Sequence, residues 1–276
     1  MKKYLFLAVA GMLALSSCSN DSDELVINEI PQEMTFTAGY PDGEATRAAI
    51  SGTSVTWESG DKIKVFSTKN STGAVFTTSN TGATATFTGT AVADSKFYAV
   101  YPLGGSSLDG TTIKGLRIDR NQLNDDAWKS EEYDDTSGLD KWGTFAVAVA
   151  DAGEALQFKS ICAILKVKLI PGRWGCSNTT VKVQAVEDMA DMFDYNTATG
   201  TITCDNNGVD YNYVQTKQVN VEGGSRTLYL KILPGTYTNF KLLVTGNSDT
   251  FADKTKASAT FEAGKVYDLG SYDVDE

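Results

Sequence analysis

The sequence predicts an all-β fold built from antiparallel β-sandwiches, and three observations lead to it. Thr, Val and Tyr are frequent, which favours strands, and Gly is far more common than Pro (25 against 5 of 276 residues). Several stretches alternate apolar and polar residues with a period of two, as in a sheet with one face on a core and one in water. Turn sequences such as Leu103–Gly105, Glu222–Ser225 and Pro234–Gly235 separate these stretches.

The alternating stretches assign individual residues to the core. In Leu165–Leu169 the apolar side chains share one face and the two lysines the other, and Lys62–Phe66 and Val181–Ala185 repeat this pattern. Two short stretches could be helical: Asn124–Glu132, and Val186–Phe193, in which Met189, Met192 and Phe193 are spaced for one face of a helix. The predicted core includes Ile63, Val65, Val147, Val167, Leu230 and Leu242.

A change in composition near residue 152 divides the chain. Asp119–Trp142 is acidic and has little strand character, and Asp151–Glu154 then interrupts the strand pattern before it resumes. We therefore expect two tandem sandwiches, an N-terminal one over residues 34–152 and a C-terminal one over residues 153–276, each of ordinary domain size.

The N-terminus reads as a secretion signal that ends at a lipidated cysteine. Lys2 and Lys3 precede the apolar run Tyr4–Leu15, which is short for a membrane span. Leu15–Cys18 then matches a lipobox: an apolar residue, two small residues and a cysteine. We expect residues 1–17 to be removed as a signal peptide and Cys18 to carry acyl chains such as palmitate. The alternative is an ordinary signal peptide with a chance cysteine.

Residues 18–33 are interpreted as a lipidated tether to the outer membrane. Ser19–Glu24 is polar and acidic and cannot bury a core. An acidic stretch directly after the lipidated cysteine resembles the surface-export signal of Bacteroidetes lipoproteins. A solvated spacer is the simpler interpretation, and the two are compatible.

Charge and composition exclude several classes of function. The formal net charge of −11 and pI near 4.6 argue against nucleic acid as a partner. The chain has no histidine, which removes the commonest general base, the Ser-His and Cys-His nucleophile pairs and most catalytic zinc sites. We therefore expect no enzyme activity, no metal and no cofactor.

Three cysteines follow Cys18. Cys162 lies in the apolar run Ser160–Leu165 and is expected to be a buried free thiol. Cys176 and Cys204 could form a disulfide in an oxidising compartment, but the sequence leaves their pairing open.

Six motifs follow one another along the chain: Met34–Ala38 with Ala45–Ala48, Val55–Phe66, Phe97–Pro102, Leu156–Ser160, Leu228–Leu243 and Phe261–Gly270. The second of them contains a W-x-x-G-D-x-I signature that starts at Trp57. In this order the motifs resemble the fimbrillin family, the type V pilus subunits and related lipoproteins of Bacteroidetes. One departure is Ser160, where the family often has His, and we treat it as a packing variation.

The resemblance implies transthyretin-like sandwiches and a structural or adhesive role in a surface fimbria, with other pilus subunits as partners through strand donation. It also implies maturation by a trypsin-like protease after a basic residue. Arg47, followed by Ala48, matches that position, and Glu33–Thr37 resembles a strand that the cut would free. The alternative is that Arg47 is an exposed loop residue.

The W-x-x-G-D signature also has a purely structural interpretation. Gly60 and Asp61 are typical of a turn, with the Asp61 side chain bonded to nearby backbone N–H groups, and Trp57 is expected to cover an edge of the sandwich.

An acidic segment with aromatic residues supplies the alternative function. Trp128, Tyr133 and Trp142 lie among the carboxylates of residues 125–135 and could form a platform for a sugar. A surface glycan-binding lipoprotein is therefore the second hypothesis, and a glycosidase that uses these carboxylates is a distant third. A solvated acidic loop is the simpler interpretation of the same segment.

Overall fold

The computed structural model describes residues 30–40, 57–122, 133–134, 145–204, 211–247 and 249–275, with backbone alone at 133–134. Contacts divide the chain into Met1–Ile30 and Pro31–Glu276, and the fold described here is that of the second unit. Within the described ranges every regular element is a strand, which confirms the predicted all-β class. These ranges contain no helix long and apolar enough to cross a membrane.

The strands that precede the predicted division are β1 Gln32–Gly39, β2 Lys62–Ser67, β3 Asn70–Thr78, β4 Thr84–Ala91, β5 Lys96–Tyr101, β6 Ser107–Asp109, β7 Thr112–Ile118, β8 Asn121–Gln122, β9 Tyr133–Asp134 and β10 Ala146–Asp151. Those that follow it are β11 Leu156–Gln157, β12 Lys159–Ser160, β13 Ala163–Pro171, β14 Thr179–Gln184, β15 Asp191–Asn196, β16 Ile202–Cys204, β17 Tyr213–Thr216, β18 Arg226–Ile232, β19 Gly235–Gly246, β20 Asp249–Phe261 and β21 Val266–Val274.

The largest sheet closes on itself. Its eight strands follow the order β11-β1-β4-β3-β2-β5-β10-β12. The two strands at the ends of this order, β11 and β12, are separated in the chain by Phe158 alone. One stretch of chain therefore pairs with both sides of the sheet, and Phe158 is fully buried where the sheet closes.

Aromatic side chains fill the inside of this closed sheet. Phe36, Phe76, Phe87, Phe97 and Phe158 belong to one buried cluster, together with smaller side chains from β1, β2, β5 and β10. The predicted core residues Ile63 and Val65 lie in the same cluster. The period-two alternation of β2 thus positions the residues that the sequence assigned to the core.

The other strands form three smaller sheets around a second core. Their orders are β21-β13-β18-β9, β20-β19-β14-β17-β8 and β16-β15-β7-β6. The second core contains Val147, Val167, Leu230 and Leu242, as predicted, and also Phe66 and other residues of the N-terminal half. Most strand pairs are antiparallel, but β13 and β21 run parallel, as do the short pairs β1–β11, β8–β17 and β9–β18.

Strands on either side of residue 152 pair with each other. β7 pairs with β15, β8 with β17, and β9 with β18. The β-sandwich class is confirmed, whereas the division into separate domains at residue 152 stays a prediction.

One helix prediction is wrong. Val186–Phe193 contains bends and then the first residues of β15, and of its three large side chains Met189 and Phe193 are buried while Met192 is 44% exposed. Phe193 and Tyr195 alternate with exposed or half-buried residues, so the apolar spacing belongs to a strand. The other predicted helix, Asn124–Glu132, lies outside the described residues.

Candidate functional site

Strand β1 lies between β4 and β11 in the closed sheet. It pairs antiparallel with β4 along its whole length, from Gln32 opposite Ala91 to Gly39 opposite Thr84. It pairs parallel with β11 only at its end, where Ala38 and Gly39 lie opposite Leu156 and Gln157. We call the space that β1 occupies between these neighbours, lined by Trp57, Phe76, Phe87, Phe97 and Phe158, the β1 groove.

Alternate side chains of β1 point into the groove. Phe36 and Ala38 are buried, whereas Thr35 and Thr37 are exposed. The Phe36 ring meets Phe76 edge-on at 5.0 Å between centroids and Phe97 at 4.9 Å. This geometry is the favoured one for aromatic pairs, so Phe36 is the main apolar anchor of the strand.

Trp57 closes the groove at the end where β1 leaves it. Its side chain is 1% exposed, and its Nε1 donates a hydrogen bond to the backbone carbonyl of Ala38 at 3.1 Å. Its ring stacks on Tyr40 at 5.3 Å and meets Phe87 and Phe158 edge-on at 5.0 and 5.5 Å. The sequence predicted that Trp57 covers an edge of the sandwich. In the structure Trp57 is buried and is hydrogen-bonded directly to β1.

The turn after Trp57 holds this ring in place. The Asp61 carboxylate accepts a hydrogen bond from the backbone N–H of Glu58 at 2.8 Å, as predicted for a turn former. Gly60 has a φ of 97°, which favours glycine. The backbone of Trp57 also exchanges two hydrogen bonds with Gly82, at 2.7 and 3.0 Å. Trp57 is thus fixed by contacts that do not involve β1.

A cavity of about 300 Å³ lies elsewhere, beside β8 and β18. Its lining includes Leu103, Phe145, Arg117 and Lys231. Burial lowers the pKa of Lys231 to about 8. Among the described residues no group of His, Cys, Asp or Glu could hold a metal ion.

A family model matches most of the fold, from residue 46, after β1, to residue 270 in β21. Residues 46–270 match the model of the fimbrillin-like family. The chain belongs to the fimbrillin-like family. The match covers most of the chain, and it includes Trp57 and its turn.

Solved structures share the fold of this fimbrillin-like chain. A protein from Bacteroides ovatus with a proposed role in cell adhesion is 13% identical, covers 87% of this chain and 92% of its own, and gives a TM-score of 0.53. A second such protein, from Bacteroides uniformis, is 17% identical, covers 86% and 93%, and gives a TM-score of 0.51. At these identities the likeness is one of fold. No curated protein sequence matches significantly.

The predicted cleavage site lies between two residues in contact. Arg47 and Ala48 belong to residues 41–56, which lie outside the described residues. The residues that flank this stretch, Tyr40 and Trp57, stack on each other. In this fimbrillin-like chain β1 is therefore connected to the rest of the fold through the stretch that contains Arg47. Cys18 lies outside the described residues as well.

Of the three residues of the predicted sugar platform, the structure describes only Tyr133, and of that residue only the backbone. Tyr133 lies in β9, opposite Arg226 of β18, and Trp128 and Trp142 fall outside the described residues. The structure thus places Tyr133 beside the start of β18 but does not test the platform.

The sequence interpretation missed an exposed tryptophan. Trp174 is 67% exposed in the loop after β13, and Arg173 lies 5.1 Å from its ring. Its backbone N–H donates to the Asp275 carboxylate at 2.7 Å, and Gly172 donates to the carbonyl of Val274, also at 2.7 Å. The sequence feature that could have indicated an exposed Trp174 is its position in the turn that starts at Pro171 and Gly172, just after an alternating strand.

The cysteines of the described residues are all free. Cys162 and Cys176 are buried and Cys204 is half-buried. The buried free thiol predicted at Cys162 is confirmed, and burial raises its pKa to about 12. A Cys176–Cys204 disulfide, which the sequence left open, is not formed in this structure.

Proposed function

We propose that this chain is a structural or adhesive subunit of a surface fimbria that assembles by exchange of β1. It is exported as a lipoprotein through Cys18, cut after Arg47, and joined to other pilus subunits by a strand that replaces β1. The observation that carries the proposal is the position of β1: an internal strand of a closed sheet, connected to the rest through the stretch that contains Arg47. Membership of the fimbrillin-like family supports it.

Loss of β1 would leave a gap that favours a new strand. The facing edges of β4 and β11 would lose their backbone partners, and the rings of Phe76 and Phe97 would lose the Phe36 ring. Unpaired backbone groups and exposed apolar surface are both costly, so a strand from a neighbouring subunit binds there favourably.

Lipid chains on Cys18 would place the chain on the outer membrane, at the cell surface. Each buried methylene contributes about 0.8 kcal/mol, and two or more chains give stable anchoring without a spanning helix. The proposed partners are therefore the membrane and other pilus subunits. The proposed role involves no catalysis.

Treatment of the purified protein with trypsin tests the assembly. We expect a new N-terminus at Ala48 by mass spectrometry, followed by multimers on size-exclusion chromatography. Arg47→Lys keeps the trypsin site and serves as the matched control, whereas Arg47→Ala is expected to keep the bond before Ala48 intact and to stay monomeric. A clean cut that leaves a stable monomer would overturn the polymerising role.

A second function, binding of surface glycans, is favoured by Trp174. An exposed indole on a loop held by Asp275 and Val274 is suited to stacking on a sugar ring. Glycan-array binding that is lost in Trp174→Ala, Trp128→Ala or Trp142→Ala would favour this function. Binding that is unchanged in all three variants would exclude these residues as the platform.

A further inference from the structure

Two small residues face each other at the end of the β1 groove, where Trp57 is bonded to β1. Ala38 of β1 lies directly opposite Ala85 of β4, and both are buried. The preceding inward pair is Phe36 opposite Phe87, so a large pair is followed by a small one at the end of the two strands. The Trp57 ring packs beside the small pair, against Phe87 and bonded to the Ala38 carbonyl.

Trp57 would remain in place after a cut at Arg47. It lies on the C-terminal side of the cut, and its contacts with Gly82, Phe87 and Phe158 are all retained. The partners that would leave with β1 are Tyr40 and the Ala38 carbonyl. The buried Nε1–H of Trp57 would then require a new acceptor, since an unsatisfied buried donor is costly.

The middle of the groove requires a large side chain from the strand that fills it. The rings of Phe76 and Phe97 surround the Phe36 ring edge-on, and a smaller side chain would leave a cavity there. Outward positions carry no such constraint, because Thr35 and Thr37 are exposed.

We infer that Trp57 selects the strand that replaces β1. The partner is an extended segment of another subunit that runs in the direction of β1, antiparallel to β4. It presents a large apolar side chain at the Phe36 position and a small one two residues later, with a carbonyl for Trp57 Nε1. This inference rests on the proposed strand exchange and adds a rule for which strands are accepted.

Peptide binding to the opened groove tests the rule. A recognition sequence for a site-specific protease, placed between Tyr40 and Trp57 of the full chain, allows cleavage independently of Arg47. A fluorescent peptide with the sequence of Gln32–Tyr40, added in excess, then replaces the cut strand and reports binding by polarisation.

Three peptide variants separate the requirements. Phe36→Ala is expected to bind about 100-fold more weakly, and Ala38→Leu about 10-fold or more. Thr37→Leu, at the exposed position between them, is the matched control and is expected to bind within about threefold of the natural peptide. Equal binding of the Ala38→Leu and natural peptides would overturn the inference.

A change at Trp57 in the body of the protein tests its role directly. When the cut protein carries Trp57→Leu, the loss of affinity caused by Ala38→Leu in the peptide is expected to fall to about threefold or less. The smaller side chain at position 57 leaves space for the larger one in the peptide. If the Ala38→Leu peptide loses the same affinity for the unaltered protein and for the Trp57→Leu variant, Trp57 does not select the strand. If Trp57→Leu does not fold, Trp57→Phe takes its place. The Ala38→Leu peptide is then still expected to bind more weakly than the natural peptide. The natural peptide itself is expected to bind about fivefold more weakly than to the unaltered protein, because the indole N–H is lost. Natural-peptide binding unchanged by Trp57→Phe would contradict the role of the indole N–H.

The outcomes for the two proposals are distinguishable. Failure of trypsin to cut at Arg47, or a cut without multimers, contradicts the proposed assembly even if the peptides obey the rule. Multimers that form while the opened groove binds all peptide variants alike contradict the rule and leave the assembly intact.

Discussion

The indole Nε1 of Trp57 and the carbonyl of Ala38 are joined by a buried hydrogen bond of 3.1 Å that spans 19 residues of sequence. The bond links the start of the W-x-x-G-D signature to the strand that precedes the predicted cleavage site. Trp57 therefore stabilises β1 in the uncut chain, and this contribution can be measured.

Replacement of Trp57 by Phe is expected to lower the free energy of unfolding by about 1–3 kcal/mol. The change removes the hydrogen bond to Ala38 and part of a fully packed ring. Trp174→Phe is the matched control, since the Trp174 side chain is 67% exposed, and is expected to change stability by less than about 0.5 kcal/mol. Urea unfolding of both variants gives the comparison, and equal losses would contradict the structure.

The two faces of β13 are expected to respond differently to truncation. Val167 is buried and Lys168 is exposed. Val167→Ala is expected to cost about 1–3 kcal/mol through lost burial and a cavity, and Lys168→Ala less than about 0.5 kcal/mol. Chemical denaturation measures both, and similar losses at the two positions would argue against the alternation.

Thiol reactivity is expected to follow burial. Burial raises the pKa of Cys162 to about 12 and also raises that of Cys204. Iodoacetamide at pH 8 is expected to leave Cys162 and Cys176 unmodified in the folded protein and to react slowly at the half-buried Cys204. Mass spectrometry before and after denaturation checks this order. Rapid native labelling of Cys162 would contradict its burial.

Asp94 is expected to titrate at unusually low pH. Partial burial would raise its pKa, but hydrogen bonds from the Thr68 hydroxyl and from the backbone N–H groups of Ser95 and Lys69 outweigh burial and lower the pKa to about 2. Its folded pKa thus lies below the ordinary value of 3.8. The stability it contributes is complete above that value and is lost as the pH falls towards 2.

An NMR titration of the Asp94 carboxyl group measures this shift. Thr68→Val removes the hydroxyl donor, which lies 2.6 Å from the carboxylate, and is expected to raise the pKa. Ordinary titration near 3.8 in the unaltered protein would show that these hydrogen bonds do not hold in solution.

Lipidation is expected to depend on Cys18 alone. Cells that express the protein are labelled with a fatty-acid analogue; Cys18→Ala is expected to lose the label, whereas Cys204→Ala, the matched control, is expected to keep it. Label retained by Cys18→Ala would refute the lipobox interpretation. Protease shaving of intact cells then measures whether the chain faces outward.

Local patterns predicted the core but not the closure of the sheet. Val65 and Val167 were assigned correctly because each is separated from another buried apolar residue by one half-buried lysine, so period-two alternation suffices. The pairing of Ala38 with Leu156 depends on residues distant in sequence, and β11 is too short for any periodic signal. The parallel pairing of β13 with β21 is equally non-local.

The candidate site was only partly predicted from the sequence, again because its contacts join residues that are far apart in the chain. Trp57 was recognised from its motif, but its partner Ala38 could not be, because a hydrogen bond to a backbone carbonyl leaves no mark on the side-chain sequence. Trp174 was missed because its exposure depends on how the loop is held, here by a hydrogen bond to Asp275, the residue that follows β21.

Closure through Phe158 also determines when the fold can be completed. β1 is the first strand of the sheet to be made, yet β11, on its other side, is among the last. Until Leu156 and Gln157 have joined the sheet, β1 has only β4 as a neighbour. A chain in which β11 has not yet paired therefore has an incomplete barrel that holds β1 on one side only, so residues far apart in sequence must meet before β1 is enclosed.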